Sequence, residues 1–193
     1  MNLVDRAKNI LLQPQQEWPV IAAEPHTPQT IYTQYVMILA AIPAVAGFIG
    51  LSLIGFSGFG VAYRVPIGAG IAHMIVSYLL GLGAVYAVAL VIDALAPNFG
   101  GEKNFMQALK VSAFSMTAAW LAGIFAILPA LSILSLLGLY SLYLLYLGLP
   151  VLMKAPEDKA VPYTVVVIIV AIVLWIVIAT VANLAIPSQV RGF

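Results

Sequence analysis

Five long apolar stretches, separated by short polar or proline-containing breaks, dominate the pattern along this chain. A membrane span needs about 20 predominantly apolar residues to cross a hydrocarbon core of about 30 Å. Because every backbone amide in lipid must find a partner within its own segment, each stretch is predicted to be a helix. The runs lack the two-residue alternation of transmembrane β-strands. The predicted spans are 31–56, 66–94, 105–128, 130–153 and 161–186.

Between the third and fourth spans, Pro129 is the single residue that interrupts the apolar sequence. A proline at this place is compatible with either a kink or a turn. Length decides for the turn, because one unbroken helix from Met106 to Met153 would be roughly 72 Å long. We therefore predict that the chain folds back at residues 127–129.

The segment before the first span has a different pattern. Residues 2–12 place apolar side chains on one helical face and polar ones elsewhere, which predicts a short helix lying in the membrane interface. Gln13 and Pro14 should end it. The prolines that follow predict an extended link with Trp18 in the headgroup belt, beside the interfacial Arg6 and Lys8. The expected units are an N-terminal segment, a membrane domain and a short tail, at residues 1–30, 31–186 and 187–193.

Composition agrees with this architecture. The chain has 193 residues, of which 63% are hydrophobic and 8% charged, whereas soluble domains are about 25% charged. The fold class is thus expected to be all-α, a polytopic membrane protein with a bundle of about five transmembrane helices and the lipid bilayer as its partner. The net charge of +1 comes without a basic face, so nucleic acid is not expected as a partner. There is no cysteine and no pattern of a signal peptide.

Lysine and arginine in the short loops predict the orientation. Positive segments stay on the cytoplasmic side during insertion, and a cytoplasmic N-terminus puts six basic residues inside against two outside. The expected inner set is Arg6, Lys8, Lys103, Lys110, Lys154 and Lys159, and the outer set is Arg64 and Arg191.

Ionisable side chains at membrane depth are costly, so each one is a candidate site. Asp93 ends the second span and Lys110 lies about one turn into the third, with Glu102 and Lys103 in the loop between them. One interpretation is an ion-coupling or partner-docking site. The other is a structural Asp93–Lys110 pair, or a lysine that reaches to the surface.

Three further features leave alternatives open. His73 has no acidic or histidine neighbour at helical spacing, so helix contact is an alternative to proton or metal binding. Tyr140, Tyr143 and Tyr146 recur every three residues, either for interhelical hydrogen bonds or as a polar cavity lining. Small residues four apart, such as Ser77 and Gly81, favour tight packing within the chain or a homo-oligomer face.

No motif of a known enzyme class is present. The sequence has no phosphate-binding glycine loop, no paired histidines for zinc, no nucleophile elbow and no second buried carboxylate for acid–base work. We therefore assign no catalytic residue, no metal ligand and no cofactor.

The pieces together resemble the Yip domain, a family of membrane proteins named for interacting with Ypt and Rab GTPases. The resemblance rests on the short N-terminal helix, the five spans and three segments, LQPQQEW at 12–18, ALKVSAFS at 108–115 and LYSLYLLYLGLP at 139–150. In its near absence of a soluble N-terminal region, the chain is similar to an uncharacterised bacterial inner-membrane branch of this family. The family implies five helices, a cytoplasmic N-terminus and an external C-terminus.

Two functions are compatible with this pattern, and a third stays open. The first is a non-enzymatic protein that organises the membrane or scaffolds a membrane-protein partner, since five apolar helices carry almost no buried charge. The alternative is a small transporter or channel whose path would be lined by Asp93, Lys110, His73 and the tyrosines. An intramembrane enzyme would need polar side chains that only the fold brings together.

Overall fold

The computed structural model of this protein describes residues 2–58 and 61–184. Within that part of the chain, five helices are long and apolar enough to cross a membrane, which confirms the predicted class. We call them spans 1 to 5, with bounds Pro28–Ile54, Ile67–Phe99, Phe105–Ile127, Ala130–Met153 and Glu157–Asn183. The predicted tail at 187–193, with Arg191, and the end of the predicted fifth span lie outside the described residues.

Two short helices precede the spans and form a hairpin. Helix α1 is Leu3–Leu12, and the Asn2 side chain caps it by accepting a hydrogen bond from the Asp5 backbone at 2.8 Å. Helix α2 is Pro14–Ala23. The prediction of an extended link was wrong here, because Pro14 occupies the first helical turn, where a missing N–H costs nothing.

Span 1 is irregular at both ends. It begins as Pro28–Ile31, passes through a π-helical turn at Tyr32–Val36, continues as Met37–Phe48 and ends in a second π-helical turn, Ile49–Ile54. A two-stranded antiparallel hairpin, Phe56–Gly58 with Val61–Tyr63, then leads to span 2. The sequence had not predicted these strands, which are too short to show a two-residue period.

Spans 3 and 4 are joined by the predicted turn. Span 3 runs through Phe105–Ser115 and Thr117–Ala122 and tightens to a 3-10 helix at Gly123–Ile127. Leu128 is extended, and the chain returns as the 3-10 helix Pro129–Leu139 and the α-helix Tyr140–Met153. The fold-back near Pro129 is therefore confirmed.

The remaining connections bring two loops to one end of the bundle. Span 2 comprises the α-helix Ile67–Leu95 and the short 3-10 helix Ala96–Phe99, and Gly100 follows with φ of 75°. Span 5 belongs to the α-helix Glu157–Leu184. The Glu102 backbone donates to the Met153 carbonyl at 2.8 Å, so the loops after spans 2 and 4 meet.

Span 3 occupies the centre. Of its most apolar stretch, 56% is buried inside the protein, against 11% for span 5. Every residue from Ala108 to Ser115 is buried. Spans 1, 2 and 4 pack against it, and span 5 packs on spans 2 and 4. These four spans turn large apolar side chains outward, as a lipid-facing surface requires, among them Ile38, Leu79, Leu136 and Trp175.

Hydroxyl groups connect the helices across this core. Tyr32 and Ser112 donate to carbonyls of span 2 at 2.9 and 2.7 Å, and the Ser141 hydroxyl accepts from the Ala119 backbone at 2.9 Å. Tyr163 donates to the carbonyl of Ile92. Such bonds hold a bundle together where no hydrophobic force acts between helices.

Candidate functional site at the N-terminal hairpin

Arg6 of α1 lies inside the protein, with 4% of its surface exposed. Its two terminal nitrogens donate to different carboxylates, Nη1 to Glu17 of α2 and Nη2 to Glu24 just beyond α2. The guanidinium also lies over the ring of Phe114 in span 3, with 5.7 Å between Cζ and the ring centroid. Arg6 thus ties both hairpin helices to the central span.

Lys110 of span 3 caps the carboxyl end of α2. Its ammonium donates to the carbonyls of Ile21, Ala22 and Glu24 at 2.9, 3.2 and 2.7 Å. The last carbonyls of a helix have no partner within it and carry partial negative charge, which suits a buried cation. Gln107, one turn earlier, adds a bond to Ala22 at 3.0 Å.

The structure does not form the Asp93–Lys110 pair, which was one of the alternatives for these two residues. The three carbonyls hold the ammonium within the hairpin interface, and no ion pair joins it to Asp93 among the described residues. Asp93 instead lies near Tyr163 of span 5, and one of its carboxylate oxygens is buried without a partner in the described structure.

The four charges of the network cancel. Arg6 and Lys110 contribute two positive charges, and Glu17 and Glu24 contribute two negative ones. Buried charges are tolerated when each is paired and hydrogen-bonded. His26 extends the cluster outward, with its Nε2 3.6 Å from the Glu24 carboxylate and its ring against Phe114 at 6.0 Å.

Trp18 locks α2 onto span 4. Its side chain is fully buried and lies against Gly148, where a Cβ would fall 2.7 Å from Trp18 Cζ2. Trp18 and Arg6 were expected to face the membrane interface, and the structure instead encloses both side chains in protein. Lys8, the third predicted interfacial residue, is exposed on α1.

A pocket of about 540 Å³ opens beside the network. Its lining includes Arg6, Glu24 and His26, a wall from span 1 with Ile31, Gln34 and Tyr35, and Phe114 of span 3. The Tyr35 hydroxyl is 2.7 Å from that of Thr117, so this wall is fixed to span 3.

The other predicted residues are not brought together. His73 is half-buried in span 2, away from the hairpin network. Glu102 pairs with Lys154 at 2.8 Å on an exposed surface, and Lys103 is also exposed. Tyr140 donates to the Leu11 carbonyl of α1 at 3.1 Å. Tyr143 and Tyr146 are 43% and 38% exposed, so they face outward and line no interior path.

Glu17 and Glu24 are the functional residues that sequence reasoning missed. Both fall in the segment expected to be an extended link, where a carboxylate normally faces water. The available signal was Pro14 followed by Glu17, because proline and an acidic residue in the first turn are typical of a helix start. Nothing in the spacing to Arg6 revealed the pairing.

In a comparison against known families, the Yip1 domain matches residues 8–178 of this chain. The chain belongs to the Yip1 domain family. The match begins within α1 and ends near the end of span 5, so α2 and the second half of α1 lie within the matched region, and Arg6 precedes it.

Curated relatives place this Yip1 domain among inner membrane proteins. The chain is 29% identical over 117 residues to the inner membrane protein YohC of Escherichia coli K12, and equally to that of Escherichia coli O6:H1. The match covers 60% of each chain, so this chain spans less than two thirds of those relatives. No solved structure matches. The family and the five spans together make the chain a multi-pass inner membrane protein.

The described residues contain no group of three or more histidine, aspartate and glutamate side chains able to hold a metal ion. What the site offers is a neutral, hydrogen-bonded charge network and an open polar pocket. Such an arrangement can fix a helical hairpin in place and bind a polar molecule. It presents no paired nucleophile and base.

Proposed function

We propose that this Yip1-domain protein organises the bilayer without enzymatic activity, acting as a wedge in one leaflet. The observation that carries the proposal is the docked N-terminal hairpin. It packs on spans 3 and 4 and so adds two helices to one end of a five-span bundle. Each helix with its side chains is about 10–12 Å wide.

The depth of α1 supports this action. Its contact at Phe114 lies nine residues into span 3, about 13 Å along the helix from Phe105. The spans have 23 to 33 residues, about 35–50 Å, and therefore exceed a 30 Å hydrocarbon core. Span 3 exceeds the core by about 5 Å, so with this excess on the hairpin side the Phe114 contact lies about 8 Å below the boundary between headgroups and acyl chains, which is the depth of interfacial helices.

The outer face of the hairpin suits that depth. Val4 and Leu12 are 69% and 68% exposed on α1, beside the exposed Asp5 and Lys8, and Val20 is exposed on α2. Apolar side chains here displace lipid, while the charged ones reach the headgroups. The network beneath keeps the hairpin from swinging away.

Orientation belongs to the same proposal. A cytoplasmic N-terminus and an external C-terminus follow from the basic residues, of which Lys103, Lys154 and Lys159 are exposed near the end where the hairpin docks. The wedge then widens the cytoplasmic leaflet, and the membrane is expected to bulge toward the cytoplasm. Any protein partner would bind this protein on the cytoplasmic side.

Curvature sorting tests the wedge. Protein oriented with the hairpin outward in giant vesicles should concentrate on membrane tubes pulled from them. A triple variant, Val4→Ser, Leu12→Ser and Val20→Ser, should fold with an unchanged melting temperature and lose the enrichment. The control, Val161→Ser with Val165→Ser, removes exposed apolar groups of span 5 and should keep it.

Two outcomes would contradict the proposal. One is equal density of the parent protein on tubes and on flat membrane. The other is enrichment that the triple variant retains in full, because the hairpin's outer face would then contribute nothing to curvature preference.

A further inference from the structure

The pocket beside Arg6 lies at the boundary between polar and apolar protein surface. On the outside of span 1, Gln29, Thr33 and Gln34 are exposed, and one turn later the exposed residues are Met37 and Ile38. An exposed glutamine favours the headgroup region, and exposed methionine and isoleucine favour hydrocarbon. The pocket therefore opens to lipid headgroups, directly above the acyl chains.

The wall that faces lipid is built by an irregular turn. Gln34 and Tyr35 belong to the π-helical segment Tyr32–Val36. π-Helical turns are rare and occur frequently at functional sites. This irregular turn therefore contributes directly to the pocket lining.

The charges on the pocket lining come as a pair. Arg6 is positive and Glu24 is negative, and both line the pocket, whereas Glu17 and Lys110 do not. A purely anionic ligand would find the guanidinium already shared by two carboxylates. A ligand that carries both charges can pair with Arg6 and Glu24 together.

Hydrogen-bonding groups remain available around this pair. Glu24 uses the same oxygen, Oε2, toward Arg6 and His26, so Oε1 has no partner among the described residues. Within that part of the chain, the Gln34 amide also makes no hydrogen bond. The apolar lining consists of Leu3, Ile31 and Phe114. An acceptor for an ammonium, donors for a phosphate and an apolar floor thus surround one cavity of about 540 Å³.

We propose that this pocket binds the headgroup of a zwitterionic aminophospholipid, with its primary ammonium on Glu24 and its phosphate near Arg6 and Gln34. A primary ammonium donates hydrogen bonds to a carboxylate, which a trimethylated ammonium does not. The site therefore favours phosphatidylethanolamine over phosphatidylcholine, and also over anionic phosphatidylglycerol. This binding is independent of the wedge, which uses the outer face of the hairpin.

Native mass spectrometry of the full chain released from mixed nanodiscs tests the proposal. The nanodiscs contain phosphatidylethanolamine, phosphatidylcholine and phosphatidylglycerol in equal amounts. Phosphatidylethanolamine should stay bound preferentially. Gln34→Ala should reduce its retention about tenfold, the effect of one hydrogen bond to a charged group. The matched control is Thr33→Val, which changes an exposed neighbour outside the pocket. Because Gln34 has no structural partner, its loss should not affect folding.

The other outcomes of the lipid-retention experiment also test the proposal. Preferential retention of phosphatidylglycerol or phosphatidylcholine would overturn the proposal, as would equal effects of the two variants. Free phosphoethanolamine distinguishes the two sources of this chemistry. Phosphoethanolamine that binds much more weakly than the intact lipid supports a membrane lipid, and equal affinity for the two would overturn the lipid assignment.

Discussion

Replacing Lys110 with methionine removes the ammonium that caps α2 and keeps a side chain of similar length. The Ile21 carbonyl then has no donor, because the residue four positions later is Pro25, whose nitrogen carries no hydrogen. An unpaired buried carbonyl costs about 1–3 kcal/mol. The Ala22 carbonyl keeps Gln107 as its donor, so there only the charge is lost.

The carbonyl of Glu24 similarly keeps a contact to His26 Nδ1 at 3.2 Å. At the Ala22 and Glu24 carbonyls a charged donor is replaced by a neutral one, which adds about 1–2 kcal/mol to the cost of the substitution. We therefore expect Lys110→Met to weaken docking of the hairpin by about 2–5 kcal/mol. At 3 kcal/mol the undocked population rises about 150-fold.

Cysteine labelling measures this population, because the chain contains no cysteine of its own. An Ile10→Cys substitution places a thiol on α1 where the side chain is fully buried, so a maleimide reacts only when the hairpin undocks. Lys110→Met should raise the labelling rate about 100-fold. The matched control, Lys159→Met, removes an exposed lysine and should leave the rate unchanged.

A labelling rate for Lys110→Met within about threefold of the control would refute the capping role. Asp93→Asn adds a second check. Because the structure separates Asp93 from the network, its effect on labelling should be small and should add to that of Lys110→Met without coupling.

The remaining predictions concern the same interface and the rival function. Gly148→Ala should destabilise the hairpin by about 1–3 kcal/mol, because its methyl group would overlap Trp18, and thermal unfolding measures the loss. Arg6→Met should cost about 3–5 kcal/mol in the same assay, since two carboxylates lose their cation. Proteoliposomes should show no flux of protons or metal ions, with the parent equal to an Asp93→Asn/Lys110→Met variant.

Matched controls isolate each cause. Gly81→Ala adds the same methyl group where nothing lies within 4 Å, so it should be neutral. Lys8→Met removes an exposed cation from the same helix as Arg6 and should change stability little. Flux in the parent alone would favour a conduit and would direct the search to spans 2 and 3.

The membrane part of the fold could be predicted because the bilayer imposes a strict rule on length and hydropathy. The turn at Pro129 followed from arithmetic on chain length alone. The two-stranded hairpin after span 1 could not be predicted in this way, since its strands have three residues each. The bounds of α1 also followed from its sequence, because Ala7 and Ile10 share an apolar face, but its docking did not, since Arg6 on the expected polar face is buried as well.

The candidate site was less predictable, because its contacts join residues far apart in sequence. Lys110 was identified as costly at its depth, and Asp93 was the nearest acid at the same end. Its true partners are backbone carbonyls of α2, which no side-chain pattern reveals. Trp18 was assigned to the headgroup belt because a sequence does not show that Gly148 leaves room for an indole.

The docking of the hairpin also has a consequence for synthesis. Leu11 accepts a hydrogen bond from a tyrosine made 129 positions later. At about 5–20 residues per second, translation takes roughly 6 to 26 s to deliver that partner. During this delay the hairpin, in which Arg6 already has Glu17 and Glu24 as partners, lacks a complete docking surface, and its contacts are completed only after span 4 has been made.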